Sequence, residues 1–137
     1  MPTQPTPEQF QALFEKAPPG PLIMLNLLKF KDKAEYADGR ETDMSGIEAY
    51  AIYGSLMKKR IEADGGRFIF NANTHTLVVG DGELEWDAVG IVEYASLENF
   101  KEIVLSPEYQ EMAVHREAGL EHQLLINCTG GDLKVTE

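Results

Sequence analysis

The chain has 137 residues, 43% hydrophobic and 26% charged, the composition of one globular domain and not of a disordered segment. Twenty-three Asp and Glu against twelve Lys and Arg leave a formal charge of -11, a balance that repels phosphate backbones and anionic lipid and so argues against nucleic-acid or membrane partners. The one cysteine, Cys128, has no partner for an internal disulfide, no apolar run approaches the ~20 residues of a membrane span, and Met1–Pro7 lacks the parts of a signal peptide; the expectation is a cytoplasmic protein.

The first residues, rich in Pro and Thr, read as an extended arm. Thr6 has the character of an N-cap, with Pro7 at the first helical position, and Phe10, Leu13, Phe14 and Ala17 recur at helical period, which predicts a short helix ending at Pro18-Pro19-Gly20-Pro21. Leu22 to Phe30 is the strongest strand. It is apolar at both parities, interrupted in the middle only by Asn26, and a strand of that kind is covered on both sides. Lys31 to Met44 is polar and reads as a loop with a turn at Asp38-Gly39. Ser45 and Glu48 have capping-box spacing and open a helix to about Asp64, whose stripe is Ile47, Tyr50, Ala51, Gly54, Met57 and Ile61. Gly65-Gly66 ends it.

Arg67 to Val79 and Leu84 to Tyr94 read as two strands of a hairpin turning at Gly80-Asp81-Gly82. Ser96 caps a short helix carrying Leu97, Phe100, Ile103 and Val104, and Ser106-Pro107-Glu108 starts another that closes at Gly119. A last strand covers His122 to Cys128. After the first helix the order is β-α-β-β-α-β, the ferredoxin-like order of an α+β antiparallel sheet with its helices on one face. The expected division is an N-terminal arm and short helix over 1–20, the ferredoxin-like domain over 21–130, and a tail over 131–137.

Such a sheet leaves its second face bare. The two-sided first strand, with Val89 and Ile91 on one parity of the third and Trp86 and Val92 on the other, suggests that face is apolar, and a homodimer packed sheet to sheet is the simplest cover. Incomplete filling of the packed layers then leaves a small-molecule cavity.

The stretches Met24–Phe30, Glu48–Tyr53, Gly65-Gly66-Arg67, Trp86-Asp87 and Ser106–Gln110 followed by Arg116 together resemble the domain of unknown function thirteen-thirty, a family of the dimeric α/β barrel superfamily. The likeness runs from about Pro21 to Cys128, with the extra N-terminal helix and the 31–44 insertion added here. It implies a homodimer with a pocket between sheet and helices, and no particular reaction. Wider relatives of the superfamily include cofactor-independent monooxygenases, lactone isomerases and haem enzymes.

Among individual residues, Asn26 either bonds a neighbouring loop or points into the cavity to orient a polar substrate group, since a buried amide without partners costs about 1–3 kcal/mol. Trp86 and Asp87, adjacent on a strand, face opposite ways. Trp86 is a core or dimer contact or a cavity wall; Asp87 is either a base with raised pKa or the ion-pair partner of Arg116. Arg116 falls on the inner stripe of the last helix, where a buried guanidinium grips a carboxylate, that of Asp87 or of a substrate. Tyr53 sits at the edge of its helix stripe and is either packing or a pocket hydroxyl. His115 has the pKa range for proton transfer. The sequence-level reading therefore assigns proton movement to Asp87 or His115 and substrate contact to Asn26, Tyr53, Trp86 and Arg116, with non-catalytic metabolite binding and a purely structural dimer as the other readings. No metal is expected, because no His-x-x-x-His or His-x-x-Glu spacing comes with a third ligand; no cofactor is expected, a lone His as haem ligand having no specific support in the sequence; and Cys128 is read as inert packing.

Overall fold

The structure is a computed structural model, described here for residues 3–130; the expected tail over 131–137 lies outside the described residues. Its elements are α1 (Pro7–Lys16), β1 (Leu22–Phe30), α2 (Gly46–Ala63), β2 (Arg67–Asn73), β3 (Ala88–Tyr94), α3 (Leu97–Val104), α4 (Pro107–Gly119) and β4 (Leu120–Cys128). The strands form one antiparallel sheet in the order β2-β3-β1-β4, the ferredoxin-like arrangement. No helix among the described residues is long and apolar enough to cross a membrane.

Local chemistry accounts for the helix starts. Thr6 with Gln9 and Ser45 with Glu48 each form a reciprocal capping box, and Ser96 and Ser106 each accept from the backbone N–H three residues on. β1 is central, paired to β3 on one side and β4 on the other, so Ile23 to Leu28 have strand partners along both edges. Leu22, Met24 and Leu28 point to the helices and are buried with Met57, Ile61, Val92, Tyr94, Phe100, Ile103 and Met112.

Three expectations need correction. The hairpin strands stop at Asn73 and resume at Ala88, so residues 74–87 form a long connection and not a three-residue turn. The Thr74 N–H donates to the Asp87 carbonyl at 3.0 Å and closes the ladder there, while the Asp87 N–H donates to Leu28. Trp86 and Asp87 consequently precede β3. The inner stripe of α2 is also rotated from the expected one: Gly46, Ala49, Met57 and Ile61 are buried, whereas Ile47 is 58% exposed. The reason is the approach of α4, whose Gly119 carbonyl accepts from Lys31 while the Gly46 N–H donates to the Lys31 carbonyl, drawing the start of α2 against the end of α4. Finally, β4 begins two residues early, at Leu120.

The face of the sheet away from the helices carries Ile23, Leu25 and Leu27 of β1, flanked by Val89 and Ile91 of β3 and Leu124 and Ile126 of β4, with Phe70 of β2 beyond them. Phe70, Leu124 and Ile126 are 51%, 41% and 44% exposed. The expected apolar second face is present. Its charged groups stand at the ends, paired as Lys29–Asp87 (3.4 Å) and Arg67–Glu93 (3.1 Å).

Candidate functional site

α1 buries none of its own residues completely. Phe10, Leu13 and Ala17 nevertheless rest against the main core, so the helix lies over the helix-side face of the sheet. Between them is a cavity of about 400 Å3. Phe10 and Leu13 of α1, Met24 of β1, Phe100 of α3 and Leu125 of β4 form its apolar walls, and Arg116, Gln123 and Asn127 its polar end. Leu125 is 42% exposed because its side chain faces this space. The volume falls near the lower end of the ~300–1,000 Å3 usual for ligand pockets.

The polar end is built across three elements. Arg116 of α4, 6% exposed, is the one charged residue fully buried among the described residues. It donates to Gln123 Oε1 at 2.5 Å, to the Thr3 carbonyl and to the Glu117 carboxylate. Gln123 Nε2 donates onward to Asn26 Oδ1 at 2.8 Å, and Asn26 Nδ2 to the Gly90 carbonyl at 3.3 Å and its own strand at Met24. Register explains the relay: Asn26 lies opposite Leu125 and Gly90, and Gln123 opposite Leu28, so the two amides are diagonal neighbours on the helix-side face. The guanidinium is thereby fixed in direction, with each amide oriented by its neighbour.

Arg116 thus takes the inward position expected of it, but its partner is not Asp87. Asp87 Oδ2 accepts from the Phe30 N–H at 2.9 Å and Oδ1 lies 3.4 Å from Lys29 Nζ, at the far end of the sheet. Asn26 orients Gln123 and does not itself line the cavity. Trp86 packs edge-on against His122, with ring centroids 5.2 Å apart, and is no cavity wall. Tyr53 stands between Tyr50 and Tyr109 in an aromatic row, its hydroxyl 3.5 Å from that of Tyr109, and burial pushes its phenol well above its usual pKa. Burial likewise pushes Tyr50 up to about 12, against the opposing pull of Arg116. The sequence predicts α1 as a helix but not as a cavity wall, and Gln123 reads as an ordinary polar strand residue until β4 is set beside β1.

His115 is also elsewhere. Its Nδ1 lies 2.7 Å from the Tyr36 hydroxyl, in the 31–44 loop that packs Ala34 and Tyr36 against Ala49 and Ala118. Arg40 stacks over the Tyr36 ring at 4.5 Å. Desolvation first, and the Arg40 charge second, lower the His115 pKa. The unfolded chain then takes up this proton near pH ~6.5, before the folded chain does, so stability is lost as pH falls through that value and levels off once the folded imidazole is also charged. Urea midpoints compared at about pH 7 and about pH 5 should fall less in His115→Gln than in the unsubstituted chain. An equal fall would remove His115 from the pH response. Among the described residues, no three His, Cys, Asp or Glu side chains converge as a metal site would require.

The sequence matches the family described as Domain of unknown function (DUF1330) over residues 34–127. The chain belongs to that family. Among solved structures, the methylated RPA0582 protein is 35% identical, with 96% of each chain covered and a TM-score of 0.85. RPA0582 from Rhodopseudomonas palustris, described as a protein of unknown function, is 32% identical over 94% of this chain and 96% of that one, with a TM-score of 0.82. A dabb family protein with a ferredoxin-like fold from Mesorhizobium loti is 12% identical over 81% of this chain and 97% of its own, with a TM-score of 0.50, a likeness of fold alone. No curated protein matches the chain. The DUF1330 match begins after α1 and β1, so the α1 wall of the cavity lies outside the matched stretch.

Proposed function

We propose that this DUF1330 chain is a homodimeric small-molecule-binding protein, with one ligand site per protomer in the cavity under α1. The observation that carries the reading is an apolar space of about 400 Å3 closed at one end by a buried, directionally fixed guanidinium. Apolar walls with a few convergent polar groups are what small organic ligands require. Turnover of the cofactor-independent oxygenase or isomerase kind needs a proton-moving group beside the ligand. Asp87 and His115 each have other partners outside the cavity, which favours binding without chemistry.

The dimer is supported by the second face of the sheet. Its centre is apolar and its charges are paired at the two ends, the anatomy of an interface with a greasy core and polar rim. A two-fold axis lays this face on itself, so one copy covers another without any new complementary surface. Dimerisation and ligand binding then use opposite faces of the same sheet.

A thermal-shift screen of small phenols, lactones and carboxylates tests the binding reading. A ligand present at 100 times its Kd should stabilise the fold by about 2.7 kcal/mol. Leu125→Trp, which fills the cavity, should fold normally and lose the shift. A screen without any hit, or hits that Leu125→Trp leaves untouched, would count against this cavity.

A further inference from the structure

We infer that the cavity takes a monocarboxylate with an apolar body, its head group bound to the Arg116 guanidinium in the place now held by the Thr3 carbonyl. This rests on the reading of the cavity as a ligand site and names the chemistry of what it holds.

The charge of the walls is the first argument. The lining contains two basic residues, Arg116 and Lys16, and no acidic one, in a chain with 23 acids against 12 bases. Glu117, bonded to Arg116 from just outside the lining, offsets one of these charges and leaves the walls net positive, a local reversal that suits an anion. The second argument is what Arg116 touches. Of its three acceptors, only Gln123 belongs to the strand scaffold, and Gln123 is held in turn by Asn26. The others are the carbonyl of Thr3, in the arm ahead of α1, and the carboxylate of Glu117. These two are tied to each other, Thr3 Oγ1 donating to Glu117 Oε2 at 3.2 Å and Gln4 Nε2 to Oε1 at 2.5 Å. The Glu117 side chain is 34% exposed and has water to turn into.

The arm and Glu117 therefore supply, from the protein itself, the acceptor oxygens that a buried guanidinium must have. A ligand carboxylate offers the same two oxygens in one rigid plane, matched to the guanidinium fork, and sets a full charge against the guanidinium where the Thr3 carbonyl offers only a dipole. Its apolar body lies along Phe10, Leu13, Met24 and Leu125. On binding, Thr3 and Glu117 move to solvent, where both are readily hydrated. Ligand selection is then a competition at one guanidinium between an internal acceptor pair and an external one.

Three probes with one body separate the terms: 3-phenylpropanoate, 3-phenylpropanamide and propylbenzene, titrated by calorimetry into the full chain. The acid should bind about tenfold more tightly than the amide, the worth of one charge-assisted hydrogen bond. Glu117→Gln removes the competing charge at a part-exposed site, so it should tighten the acid most, the amide less, and leave the hydrocarbon unchanged. Amide or hydrocarbon binding as tight as the acid would overturn the carboxylate assignment and leave the cavity as a ligand site. A Glu117→Gln variant that tightens all three probes alike, or none, would also overturn it. If none of the three binds and none raises the melting temperature, the ligand-site reading fails and this inference with it.

Discussion

A Leu25→Glu protein is expected to run as a single protomer in light scattering, and the unsubstituted chain as the proposed dimer. Leu25 lies at the centre of the uncovered sheet face, level with Ile91 on β3 and Ile126 on β4. In a separated protomer a carboxylate there meets water and costs the fold little. In a sheet-to-sheet dimer the two-fold axis brings two such carboxylates into the driest part of the contact, each without a partner. An uncompensated buried charge costs about 3–5 kcal/mol, so Kd should rise by at least roughly a thousandfold. Leu105→Glu is the control: Leu105 is 77% exposed between α3 and α4, away from the sheet, and its replacement should leave the assembly unchanged. A Leu25→Glu protein that stays dimeric would place the interface on another surface. One that unfolds is distinguished by far-UV circular dichroism, and Ile126→Glu then repeats the test at the neighbouring strand.

What could be read from the sequence was what nearby residues decide. Ser45 and Glu48 name the start of α2 because each satisfies the other's backbone three residues away. The two-sided apolar run of Leu22–Phe30 names a central strand, with its helix side buried and β3 and β4 along its edges. The errors arose where a distant element intervenes. Gly80-Asp81-Gly82 is a sound turn signal, yet the strands around it end early because Asp87 and Thr74 close the ladder. The sequence places Met57 and Ile61 of α2 correctly but sets the start of the stripe one residue out of phase, because only the approach of Gly119 shows that Gly46 and Ala49, and not Ile47, face α4. The candidate site suffered most. The relay from Arg116 to Asn26 passes through Gln123, 97 residues from Asn26 in sequence, and nothing local to either residue indicates that pairing. Asp87 beside Arg116 was a reasonable pairing by charge, but the Phe30 N–H and Lys29 hold that carboxylate instead.

Gly119→Ala is expected to lower stability by about 3 kcal/mol, at the upper end for overpacked sites, and Gly54→Ala to raise it by about 0.5–1 kcal/mol. Both add one methyl group to a helix, so helix propensity alone favours both. The surroundings differ. A Cβ on Gly119 would lie 2.3 Å from the Gly46 carbonyl oxygen and 3.0 Å from the Tyr50 nitrogen, whereas a Cβ on Gly54 meets nothing within 4 Å. The obstruction is backbone, which no rotamer change relieves. Nor can α2 withdraw freely, since Gly46 is bonded to the Lys31 carbonyl and Lys31 to that of Gly119. Relief must come from moving α4 outward, and α4 carries Arg116 three residues earlier. The guanidinium would then lose its aim at Gln123 and with it the fixed polar end of the cavity. Gly119→Ala should therefore lose part of the ligand-induced thermal shift as well as the urea midpoint, while Gly54→Ala keeps the first and gains in the second. If both substitutions prove stabilising, the close crossing of α2 and α4 is looser than the backbone contacts imply, and the coupling of that crossing to the cavity falls with it.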